Sequence, residues 1–212
     1  MNRTVKILML SDIFVITGFG LIGPILSIFI KENLTGGTIL AAGIASTIFL
    51  ITKSIVQLPF AKYVDSHDDR FKWMVLGTFF VSTVPFIYIF ANDIIHIYIA
   101  QVVHGIGSAL AFPTWLSIWT SHLDKDHESY EWSLYSTWVS VGVAITASLG
   151  AGLAQYIGYD YTFALVGLLS IVGCFVLFKL DKKDIAKPKE HLDVQYHKRR
   201  KLTHGTQPHG AH

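Results

Sequence analysis

The chain has 212 residues, 51% of them hydrophobic and only 15% charged, with a formal net charge of +2. A soluble domain usually carries about 25% charged residues, and apolar runs of about 20 residues are long enough to cross a bilayer as helix, so the composition points to a polytopic, all-α membrane protein. A transmembrane barrel is excluded, because its strands are about 10 residues long and alternate polar with apolar, whereas these runs are far longer and apolar on nearly all faces.

The apolar runs predict six helical spans, at residues 5–30, 38–61, 73–90, 94–119, 132–157 and 161–180. The first follows Arg3 and Lys6. It is too long for a signal-peptide core and shows no small-residue cleavage site, so it reads as an uncleaved span. Asp12 lies about seven residues into it, roughly 10 Å deep at 1.5 Å per residue. In the second span Ser46, Lys53 and Gln57 are spaced to share one face. Each charge at a helix centre costs about 2.5–3.5 kcal/mol on insertion scales. Asp12 and Lys53, at similar depth, therefore need a reason: a solute or ion pathway, a mutual ion pair, or snorkelling of Lys53 toward the headgroups.

Between the second and third spans lies KYVDSHDDRFK, residues 62–72, the most polar loop of the apolar region. Its carboxylates and His67 raise the question of a metal or acid–base centre. In the fourth span Gln101, His104, Ser108 and Trp115 fall at i, i+3, i+7 and i+14. That stripe is expected to face the bundle interior or a watery cavity, since lipid would leave it unsatisfied. The fifth span carries two rows of small residues: Ser133, Thr137, Ser140, Ala144, Ala147 and Ala151, and Gly142, Thr146 and Gly150. Such rows allow close helix approach in lipid. Pro24, Pro85 and Pro113 mark kinks. Cys174, the single cysteine, reads as a packing residue.

The tail, residues 181–212, is polar and basic, and is expected to be a disordered cytoplasmic segment. Its Lys198-Arg199-Arg200-Lys201 run suits the inner face or anionic lipid. His204, His209 and His212 form only a weak metal-binding pattern, and no metal or cofactor is expected. With the N-terminus inside, Arg3, Lys6, Lys62, Arg70, Lys72, Lys125 and the nine basic residues from Lys179 onward all fall on the cytoplasmic side, and only Lys31 falls outside. The positive-inside rule then puts both termini in the cytoplasm.

These features together resemble the N-terminal six-helix half of a major facilitator superfamily transporter, over residues 5 to about 180. The family's loop between spans two and three carries a pattern near G-x-L-a-D-x-x-G-R-[KR]. Here Asp65 falls on its acidic position, Arg70 and Lys72 supply the basic end, and Ala61 replaces the first Gly. The fourth-span pattern R-x-x-Q-G appears as Gln101-Val102-Val103-His104-Gly105. Loss of the Arg argues against proton coupling by that route. The fifth-span antiporter pattern survives only as Gly142 and Gly150, with Thr146 and Ala147 where Gly-Pro would stand, so an antiporter is not supported.

The resemblance implies a secondary transporter in the cell membrane, moving a small solute by alternating access around a site near the midplane. Asp12, Lys53, Gln57, Gln101 and His104 would line the path. Asp65, Arg70 and Lys72 would form an inner-gate loop, with Asp65 facing a helix N-terminus of the opposite half. His67, Asp68 and Asp69 are left as a solvated turn. Full members have two six-span halves, so a second half is expected, either a separate chain or a second copy in a parallel homodimer. The alternatives are a truncated transporter fragment and a non-transporting membrane scaffold or assembly subunit. An enzyme is disfavoured: His122 and His127 flank Asp124 and Asp126, but in no hydrolase or desaturase spacing. No nucleic-acid partner is expected.

Overall fold

The computed structural model describes residues 1–67 and 69–180. The tail, with its basic run and three histidines, and Asp68 lie outside the described residues. Seven helices follow in chain order: α1 (Arg3–Ile22), α2 (Leu26–Asn33), α3 (Ile39–Ser66), α4 (Arg70–Ile89), α5 (Ile94–Ser121), α6 (Glu128–Ile157) and α7 (Tyr159–Leu177). All but α2 are long and apolar enough to cross a membrane.

The expected first span is two helices rather than one kinked helix. Pro24 lacks an N–H and cannot continue the hydrogen-bond ladder. The chain turns there, with the Gly23 N–H bonded to Phe19 O at 3.1 Å and the Ile25 N–H to Ile22 O at 3.0 Å, before α2 begins. The other prolines in the long helices, Pro59, Pro85 and Pro113, stay within α3, α4 and α5. Helix α3 runs to Ser66 and takes up the first part of the polar loop, and α6 starts at Glu128, four residues before the expected boundary. Side chains fix two helix starts at the opposite end of the bundle. Thr38 Oγ1 accepts from the Ala41 N–H at 3.0 Å, and Asp93 Oδ1 accepts from the Ile95 N–H at 2.8 Å. The two loops there are laced together, Thr35 N–H to Asn92 O and Ile94 N–H to Thr35 O.

The long helices pack in a bent row: α3 on α5, α5 on α4, α4 on α7, α7 on α1, and α1 on α6. Small residues set the closest crossings, as expected where lipid supplies no hydrophobic drive between helices. A Cβ at Gly77 of α4 would lie 2.6 Å from Gly107 O of α5, and one at Gly107 would lie 2.8 Å from Gly77 O. On α6 the row Gly142, Thr146, Gly150 meets α1: a Cβ at Gly142 would strike Thr17, and one at Gly150 the Leu21 backbone. The other small row turns outward, with Ser133, Thr137, Ser140, Ala144 and Ala151 exposed.

Two apolar clusters lie toward the two ends of the bundle. One joins Leu21, Ile22, Phe29 and Ile30 to Val84, Tyr88, Ile97 and Phe163. The other joins Val5, Leu8 and Met9 to Met74, Trp115, Ile118, Trp119 and Leu177. Helices α3 and α6, at the two ends of the row, are the least buried of the long helices. They expose Leu50, Ile51, Ile55 and Leu58 on one side and Trp138, Val141, Ile145 and Leu149 on the other.

Candidate functional site

A cavity of about 300 Å³ lies between the two apolar clusters. Ser11, Asp12, Val15, Ile16 and Phe19 of α1 line it, with Lys53 of α3, Met74, Thr78 and Val81 of α4, His104, Ser108, Ala111, Phe112 and Trp115 of α5, Tyr135 of α6 and Leu177 of α7. Asp12 stands nine residues beyond the start of α1, about 14 Å along the axis at 1.5 Å per residue. The helix has 20 residues, so the cavity lies near the middle of α1.

Three of the expected pathway residues, Asp12, Lys53 and His104, come together on this wall from three helices. Asp12 and Lys53 do not form an ion pair. The Tyr135 hydroxyl donates to the Asp12 carboxylate instead. The Lys53 ammonium lies over the ring of Phe112, 5.0 Å from its centroid, and 6.0 Å from that of Phe49. The ring quadrupole presents negative charge on its faces and attracts a cation held there. His104 is stacked between aromatic rings, 4.8 Å from Phe19 and 4.4 Å from Phe49.

Gly105 makes this arrangement reachable. A Cβ there would lie 2.8 Å from Thr52 Cβ and 2.9 Å from Phe49 O. Without a side chain at 105, α3 sits close enough to α5 for Phe49 to meet His104 and for Lys53 to extend over Phe112.

Gln101 and Gln57 are not on the wall. Gln101 is buried toward the other end of α5, where its Nε2 donates to the Tyr88 hydroxyl at 3.1 Å. It sits about one turn from His104, toward the apolar cluster that holds Tyr88. Gln57 is one turn beyond Lys53, about 6 Å along the axis, past the edge of the cavity. Ser46 is exposed and bonds back to Ala42 O. Of the α5 stripe, His104, Ser108 and Trp115 reach the cavity.

The sequence reading missed Tyr135. It belongs to an aromatic group with Trp115, Trp119 and Trp132. The Trp115–Trp119 rings are stacked at 4.9 Å, and Tyr135 lies 5.2 Å from Trp115. Trp115 is 8% exposed, and among the described residues its indole N–H has no acceptor. Two other cavity hydroxyls turn to backbone: Ser11 Oγ donates to Gly173 O at 2.7 Å and Thr78 Oγ1 to Met74 O at 2.8 Å.

The polar loop is split between two helix ends. Asp65 is exposed in the last turn of α3, and Arg70 is the first residue of α4. Arg70 is buried, and its Nε and Nη2 have no partner among the described residues. Lys72 is exposed and pairs with Asp69 at 2.8 Å. That contact holds the Asp69 carboxyl below its ordinary value of 3.8. His67 stacks on Tyr63 at 4.0 Å and bonds to Tyr63 O. At the next loop on that side, His122 bonds to Ile118 O, and Asp124 meets the Met1 ammonium and the buried Glu131. These contacts cap and tie helix ends.

Six long apolar helices around a mid-depth cavity define a multi-pass membrane protein. The chain belongs to the Major Facilitator Superfamily, whose sequence profile matches residues 8–206. It is also similar to an uncharacterized MFS-type transporter of Methanocaldococcus jannaschii, 24% identical over 196 residues, which cover 92% of this chain and 50% of the relative. The chain thus spans about half the length of the curated relative it matches.

Proposed function

We propose that this chain forms one six-helix half of a secondary transporter that moves a small solute by alternating access. The observation that carries this reading is the cavity itself. Carboxylate, ammonium and imidazole side chains from α1, α3 and α5 share a wall at mid-bundle depth, between two apolar clusters. Charge at that depth is costly in a bilayer and marks substrate or ion pathways. Asp12, Lys53 and His104 contact the solute or its path; Gln101 and Gln57 act outside the wall.

The partner is a second six-helix half, either a separate chain or another copy in parallel orientation. The exposed faces of α3 and α6 and the outward small row of α6 support docking there. The Lys and Arg distribution supports a cell-membrane protein with both termini cytoplasmic. The loop with Asp65, Arg70 and Lys72 is then the inner gate, and the buried Arg70 is its anchor.

Uptake by proteoliposomes tests the proposal. A panel of radiolabelled small solutes should yield at least one that accumulates or exchanges, and Lys53→Met should lower that flux at least tenfold. No flux for any solute, in vesicles that contain the correctly folded chain, would instead favour a scaffold that keeps the fold.

A further inference from the structure

The cavity wall is unbalanced in its hydrogen-bonding groups. Lys53 brings an ammonium that rests only on ring faces, and among the described residues no carboxylate is within ion-pair distance of it. Trp115, more than nine-tenths buried, brings an indole N–H with no acceptor. The carboxylate on the wall, Asp12, is already engaged by the Tyr135 hydroxyl. The wall therefore offers a charged donor without a counter-ion and a buried indole N–H without an acceptor, beside the His104 imidazole and the Ser108 hydroxyl, and the Tyr135 hydroxyl takes up one oxygen of its carboxylate.

Both donors belong to residues that line the cavity. Lys53 lies over Phe112, and Trp115 is three residues further along α5, so the two α5 side chains share a face one turn apart. Most of the remaining wall is aliphatic and aromatic, with Val15, Phe19 and Val81 among its residues, and Ser11, Thr78, His104 and Ser108 add polar groups. A cation would share the Asp12 carboxylate with Tyr135 and be repelled by Lys53. An anionic head group would satisfy both unpaired donors and leave its apolar body against the rings.

We infer that the cavity takes a small organic anion, a carboxylate on an aromatic or aliphatic body, whose oxygens accept from Lys53 Nζ and Trp115 Nε1. The volume of about 300 Å³ is at the small end for ligand sites. The inference rests on reading the cavity as the solute site.

The test uses the full chain in lipid nanodiscs and three acids, benzoate, phenylacetate and 3-phenylpropionate, each beside its amide and the matching amine. At least one acid should bind at least tenfold tighter than its amide. Lys53→Met should erase that preference and Lys53→Arg should keep it. Trp115→Phe, which retains the ring and loses the N–H, should weaken acid binding several-fold and leave amide binding unchanged. If no acid binds, if amides bind as well as acids, or if the amines are preferred and lose that preference in Asp12→Asn, the assignment is wrong. Counterflow with the same compounds separates this inference from the transport reading. Vesicles that move only neutral or cationic solutes keep the transport reading and overturn the anion site. Acids that bind with the stated pattern in vesicles without flux keep the anion site and overturn the transport reading.

Discussion

The Tyr135 hydroxyl of α6 donates to the Asp12 carboxylate of α1. This contact joins the helix at the end of the row to its neighbour, and it takes the place of an Asp12–Lys53 ion pair. A charge-assisted hydrogen bond contributes about 1.5–3 kcal/mol. Tyr135→Phe should therefore lower unfolding stability by about that amount. In an Asp12→Leu background the same substitution should cost far less. A double-mutant cycle on the detergent-solubilised chain measures the difference; equal costs in both backgrounds would mean that the contact is not formed.

Lys53 has ring faces and no counter-ion. Removing one partner of a buried ion pair costs about 3–5 kcal/mol, whereas a cation over an aromatic ring at a part-exposed site contributes about 0.5–1 kcal/mol. Lys53→Met should change thermal stability by less than about 1 kcal/mol while abolishing flux. A loss of several kcal/mol would restore the ion pair with Asp12.

The glycines divide by what a Cβ would meet. At Gly105 it meets Thr52 and Phe49 O, and at Gly150 the Leu21 backbone, whereas at Gly43 and Gly152 nothing lies within 4 Å. Overpacking typically costs about 1–3 kcal/mol, so Gly105→Val and Gly150→Val should each lower the melting temperature clearly. Gly43→Ala and Gly152→Ala should leave it unchanged or raise it, because Ala favours helix. Gly105→Val should also reduce flux more than its stability loss explains, since it separates the two helices that hold Lys53 and His104.

The six spans were legible because long apolar runs carry no other reading, and Asp12, Lys53 and His104 stood out as polar groups inside them. Which face each residue joins was less legible. Gln101 and His104 are three residues apart on one helix, yet one serves Tyr88 and the other the cavity, because a turn of helix carries a side chain from one layer of the bundle to the next. Tyr135 gave no signal. A tyrosine near the start of a span is ordinary at a membrane interface, and its importance arises only from α1 lying against α6. The small row Gly142, Thr146, Gly150 announced that contact without naming its partner.

Asp69, left without a role by the sequence pattern, pairs with Lys72, the basic end of the gate loop. Its folded pKa is below the ordinary 3.8, chiefly through the Lys72 hydrogen bond. A lowered carboxyl contributes stability above its unfolded pKa and loses it as pH falls through the folded value. The pair is exposed, so the effect on stability is small and titration is the sharper readout. A carbon-detected NMR titration of the Asp69 carboxyl should show a midpoint below 3.8 that returns toward 3.8 in Lys72→Met. An unchanged midpoint would show that the contact does not persist in solution.

A cavity that belongs to a solute path must be reachable from water. Ser108 lines it, and Cys174, the single cysteine, is buried. The most direct test is thiol labelling of Ser108→Cys in a Cys174→Ala background, with a membrane-impermeant methanethiosulfonate on intact membranes and Phe79→Cys, on an outward face of α4, as the comparison. Ser108→Cys should react from the aqueous phase, and Phe79→Cys should stay unreactive. An unreactive Ser108→Cys, or equal labelling at both positions, would contradict a solute path through the cavity.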